Sequence, residues 1–138
     1  MTRRHDITSE QGQTAVEFAL VAPFIVALLL VVIQFAIAFH DYVTLTDAAR
    51  AGARRAIIAR FNGGSFADAK QAVEDSASNL DKSKLEQTGA IDFSDPSGMV
   101  SGSLVTVTVK YPYAFTIPLL GMTVSSGTLT AVAKERLE

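Results

Sequence analysis

Polar and apolar positions divide the chain into an N-terminal polar tract, a long apolar run and a mixed remainder. Residues 1 to 12 are polar and without periodicity. From Phe18 to Phe39 no charged residue occurs, a run of about 22 residues and so roughly 33 Å as a helix, enough to cross a bilayer's hydrocarbon core. Between Asp41 and Phe61 the pattern turns amphipathic. Leu45, Ala49, Gly52, Ala56 and Ile57 recur at helical spacing, and Arg50, Arg54, Arg55 and Arg60 lie mostly to the side or opposite. No proline interrupts this stretch, and Asn62-Gly63-Gly64 ends it. The pattern predicts one helix of about 45 residues, half in lipid and half amphipathic.

Ser65 then stands as the cap of a second helix, with Asp68 in the capping-box position. Phe66, Ala69, Val73, Ala77 and Leu80 make its apolar stripe. Asp81 to Gly89 reads as a loop and Ala90 to Phe93 as a short strand, ended by the turn Asp95-Pro-Ser-Gly98. Leu104 to Tyr111 alternates, with Val105, Val107, Val109 and Tyr111 on one face and Thr106, Thr108 and Lys110 on the other. Tyr111 to Gly121 reads as an apolar loop broken by Pro112 and Pro118. It either closes the sheet's own core or offers a docking surface. Thr128 to Arg136 is the last strand, with Leu129, Ala131 and Ala133 inward. The fold class is α+β: a long N-terminal transmembrane and amphipathic helix packed on a small antiparallel sheet of three or four strands, plus one short helix.

Composition narrows the function. The formal net charge is −2, too small to draw the chain to nucleic acid. There is no cysteine, which excludes disulfides and thiolate-held metals. Beyond residue 39 about 100 residues remain, near the lower limit for a good core. His5 lies in the polar tract and His40 at the membrane boundary, and neither belongs to a triad, a paired-acid motif or a metal-ligand spacing. Neither a catalytic residue nor a cofactor is expected, and the chain reads as a non-enzyme.

The N-terminus admits several readings. Arg3 and Arg4 with Ala36-Ile37-Ala38 allow a secretory signal cleaved after Ala38, releasing a binding domain. Against it, the run exceeds the usual signal core of about 7–15 residues, and Glu17 stands at its entrance. An uncleaved single-pass anchor, its domain scaffolding envelope complexes, is the other alternative. Arginines on both sides of the span leave the Lys/Arg topology rule undecided. The β-rich C-terminal part favours an N-terminus inside.

Gly12-Gln-Thr-Ala-Val-Glu17-Phe18, set directly before the span, resembles the processing motif of type IV pilin precursors of the tight-adherence (Tad, or Flp) branch. Asp47 to Ala56, Val105 to Tyr113 and Pro118 to Glu138 extend the likeness to TadE-like minor pilins, or pseudopilins. Phe18 departs from the tyrosine usual in the branch's major pilins. The resemblance implies a type IV pilin-like fold and cleavage by a prepilin peptidase after Gly12, so that Gln13 becomes the first residue and Glu17 the fifth. It implies residues 1–12 as leader, 13–39 as membrane helix and 40–138 as an extracytoplasmic domain whose helix continues over 40–61. It implies a bacterial inner-membrane protein, N-terminus cytoplasmic, with lipid, the peptidase, a major pilin, another minor pilin and the inner-membrane assembly machinery as partners. In the family the acid pairs with the N-terminal amine of a neighbouring subunit.

Each marked residue also has a plainer reading. Glu17 either makes that pairing or rests among head groups. Gly12 either fits a protease subsite that rejects Cβ or is merely flexible. Pro23 frees the Ala19 carbonyl, as a hinge or as a packing adjustment. Gln34 bonds a partner helix or points to the interface. Ala48, Gly52 and Ala56, joined by Ala49 and Ala53, form a small-residue face for the chain's own sheet or for another subunit. The nearby arginines meet lipid head groups, pair with acids of the domain, or form a solvated face.

Overall fold

The computed structural model describes residues 7–59, 66–87, 89–94, 102–117 and 122–136. The elements run α1 (Ile7–Ala59), α2 (Ala67–Ser76), α3 (Lys82–Leu85), β1 (Ile91–Ser94), β2 (Leu104–Ile117) and β3 (Met122–Arg136). The architecture is α+β, with three antiparallel strands in the order β1-β2-β3. The chain divides into two compact units, with the boundary after Ala36.

α1 has 53 residues, longer than the periodicity predicts, because it begins at Ile7 inside the polar tract. The absence of an apolar stripe there does not prevent a helix. Thr8 to Gln11 contains neither Pro nor Gly, and the turn is continuous with a strongly helical run. The expected stop at Asn62-Gly63-Gly64, the cap Ser65, the turn Asp95–Gly98 and the stretch Pro118–Gly121 lie outside the described residues. At α2 the N-cap position is Phe66, which makes no side-chain cap bond.

The second unit is built around a core of small and branched side chains. α1 contributes Leu45, Ala48, Ala49, Ala53 and Ala56, and α2 contributes Ala69 and Val73, with Ala77 and Leu80 following. The sheet contributes Val105, Val107, Val109, Tyr111, Ala131 and Ala133. Phe66, Ile57 and Leu129 pack at the margin, and the Phe66 and Phe93 rings stack at 5.0 Å. The inward residues of β2 are the odd-numbered ones, as the alternation predicts. Thr106, Thr108 and Lys110 lie on the other face.

Two expected loops are ordered elements instead. Within Asp81–Gly89, Lys82–Leu85 is a helical turn. Asp81 caps it: its Oδ1 accepts from the Ser83 hydroxyl at 2.7 Å and the Ser83 N–H at 3.1 Å. Those bonds, the side-chain one foremost, hold the Asp81 carboxyl below the usual carboxylate range. The turn drives Leu85 into the core and places Lys84 5.4 Å from the Tyr111 ring centre.

The apolar stretch from Tyr111 is strand as far as Ile117, paired with β3 through a register that ends at Ile117↔Met122. Pro112 does not break it, for a geometric reason. The Lys110 N–H donates to the Ala90 carbonyl at 2.7 Å, so even-numbered N–H groups of β2 point toward β1. Among the described residues β1 has ended by the level of Pro112, and the missing N–H falls on a side with no described strand alongside. Past Phe115 the register shifts: Phe115 faces Ser125 and Thr116 faces Thr123, leaving Val124 as the bulge.

Candidate functional site

The N-terminal candidates all lie on α1. Gly12 is helical and exposed. A Cβ built on it meets no atom within 4 Å, so nothing in the chain itself requires glycine there. One turn on, the Gln13 side-chain amide donates to Glu17 Oε1 at 3.1 Å. Glu17 makes no ion pair among the described residues. Its carboxylate stands exposed beside Phe18, whose ring is 68% exposed. The structure therefore brings Gln13 and Glu17 together and leaves Phe18 open.

From Phe18 onward the helix presents apolar side chains on every side, with Leu20, Phe24, Ile25, Val26, Leu29 and Ile33 all exposed. Among the described residues this is the one helix long and apolar enough to cross a membrane, and its apolar window has no buried share within the chain. A helix apolar all round has no aqueous face and needs a lipid or protein environment. Pro23 lies inside the helix and exposed, and α1 continues past it. Thr44 and Thr46 hydroxyls back-bond to the His40 and Tyr42 carbonyls at 3.1 and 2.9 Å, satisfying their polar atoms within the helix where the apolar run has ended.

The small-residue face has a different surrounding. Ala48, Ala49, Gly52, Ala53 and Ala56 are all buried. At Gly52 an added Cβ would overlap Val73 Cγ2 and come within 3.6 Å of Val107 Cγ1. The chain's own α2 and sheet thus cover this face. The arginines opposite remain in water: Arg50 pairs with Asp47 at 3.2 Å, and Arg55 borders a shallow depression with Asp68 and Asp75.

Sequence reasoning did not find Asp81, Lys84 and Leu85, which fasten the end of the helical layer to Tyr111. The Tyr111 hydroxyl accepts from the Asp81 N–H at 3.3 Å. The available signal was an aspartate two residues before a serine, a local capping pattern. Among the described residues no three His, Cys, Asp or Glu side chains converge as a metal site.

Residues 12–54 match the family model described as TadE-like protein, a similarity confined to that segment. The match begins at Gly12, takes in the membrane-competent run and ends within the small-residue face. No curated protein and no solved structure matches the chain.

Proposed function

We propose that this chain is a minor pilin or pseudopilin of a tight-adherence secretion system, trimmed after Gly12 by a prepilin peptidase. The observation that carries the reading is the contrast between two helical glycines. Gly52 is demanded by internal packing, whereas Gly12 has open space around it and stands five residues before the only acid at the mouth of the span. A glycine the fold does not need fits a residue read by another protein. The TadE-like match over 12–54 supports the same reading.

Cleavage would create an α-amino group at Gln13, mostly protonated near neutral pH given an ordinary value of about 8. Glu17, exposed and without a cation among the described residues, is then the carboxylate available to such an amine on a neighbouring chain. An ionised carboxylate deep in a bilayer costs roughly 2.5–3.5 kcal/mol, so pairing would favour one axial register between adjacent helices. In this reading residues 13–39 hold the subunit in the inner membrane with the N-terminus cytoplasmic. The α+β domain stands outside and helps initiate, cap or regulate a pilus beside a major pilin and another minor pilin. The chain is a peptidase's substrate and not an enzyme.

The test is N-terminal sequencing of the full chain expressed with and without its host's prepilin peptidase. A Gln13 start that depends on the peptidase and disappears in Gly12→Arg is expected. A Met1 or Thr2 start under both conditions would sink the reading in favour of an uncleaved anchor with a scaffolding domain.

A further inference from the structure

The peptide bond proposed for cleavage lies inside a helix. α1 is continuous from Ile7, so Gly12 and Gln13 are its sixth and seventh residues by position. In an α-helix the Gln13 N–H is bonded to the Ser9 carbonyl and the Gly12 carbonyl receives the Val16 N–H. Both polar groups of the scissile peptide are therefore engaged along the helix axis. The Gln13–Glu17 side-chain bond clasps the turn that follows the scissile peptide. A peptidase must reach the carbonyl carbon and form bonds to the flanking backbone, which a closed helical turn does not allow.

We propose that processing is gated by the helix itself: the turns from Ile7 to Gln13 must open before cleavage, and their helical stability sets the rate at which the precursor matures. This rests on the processing reading above and names a control within it. The local sequence suits such a gate. Thr8, Ser9, Gly12 and Thr14 are weak helix formers, placed directly before an apolar run that holds the rest of α1 helical. Opening is then confined to the first turns, as fraying ends of helices open more readily than their interiors. Glycine at position 12 serves this opening as well as recognition, because it favours the unwound backbone over the helix. The chemistry of cleavage is ordinary amide hydrolysis: water adds to the Gly12 carbonyl carbon, the C–N bond breaks, and a carboxylate and an amine result.

The experiment varies helix stability away from the scissile residues. Full-length chains carrying Thr8→Ala with Ser9→Ala, or Thr8→Gly with Ser9→Gly, are cleaved by the peptidase in membranes, and initial rates are compared with the parent. Alanine and glycine differ by roughly fivefold in helix equilibrium per position. The expected order is glycine pair faster than parent, parent faster than alanine pair, with at least about fivefold between the extremes. Amide exchange at Gln13 should follow the same order, which a direct effect of these side chains on the peptidase would not produce. Equal rates, or an order unrelated to Gln13 exchange, overturn the gate while leaving processing intact. A parent chain that is not cut at all overturns both.

Discussion

Glycine does opposite work at two positions of one helix, and the difference is testable at the level of single atoms. At Gly52 the missing Cβ leaves room for Val73 and lets α2 and the sheet close on α1. Val73 is β-branched and fully buried, so it cannot rotate away cheaply. Gly52→Ala therefore gains helix propensity of about 1 kcal/mol but forces an overpacked core costing typically about 1–3 kcal/mol. The expected result is net destabilisation in chemical denaturation of the detergent-solubilised chain. Adding Val73→Ala should remove the clash, so the double variant should lose less than the two single losses summed. Simple additivity of the losses would show that the contact does not limit packing. At Gly12 no such contact exists, and a change there should leave denaturation of the domain unaltered while acting on maturation.

At the scale of elements, β2 shows how backbone direction decides what a substitution does. Odd-numbered N–H groups of β2 face β3, and even-numbered ones face β1 only as far as β1 extends. Val109→Pro should remove a ladder bond to Ala131 and disturb a buried side chain, a loss on the order of 3 kcal/mol or more. Pro112→Ala should change stability by less than about 1 kcal/mol, since no described strand lies beside that N–H. Urea titration of both variants checks this, and comparable losses would refute the assigned direction. The same asymmetry explains what was legible in the sequence. The alternation of Val105, Val107, Val109 and Tyr111 is a two-residue period over a half-buried face, and it exposed the strand directly. Pro112 looked like its end, but a proline denotes a break only where an N–H at that position would have a partner, and partners are set by where β1 stops. The long helix, the stripe Ala69-Val73-Ala77-Leu80 and the inward Ala131 and Ala133 were likewise readable from period alone. α3 was not, because four residues carry no period, and Leu85 is buried by the Asp81 cap rather than by any repeat. Of the candidate site, the spacing from Gly12 to Glu17 was visible. The helical state of the peptide after Gly12 was not, since residues 7 to 12 have no amphipathic pattern to announce it.

For the whole molecule, burial is partitioned as sharply as hydropathy. No described side chain from residue 12 to residue 36 is buried, whereas every described core residue lies between Leu45 and Ala133. The apolar run gains its stabilisation from whatever surrounds it and the domain gains its own from internal packing, so the two free energies should be separable. A segment comprising Ile37 to Glu138 has just over 100 residues, close to the lower limit at which a single core suffices, and it retains all of the buried set. It should unfold cooperatively, with a denaturation midpoint equal to that of the domain in the full chain in the same detergent, to within about 0.5 kcal/mol. Retention of the detergent matters, because Phe39, Tyr42 and Val43 stay exposed at the start of the segment. A segment that fails to fold, or unfolds without cooperativity, would mean that residues before Ile37 support the core. Independence has a functional consequence in the proposed role. A subunit whose head does not draw stability from its membrane helix can leave the bilayer for a filament, or remain as a platform, without unfolding, and the cost of moving Glu17 and the apolar run then falls on contacts with neighbouring helices alone.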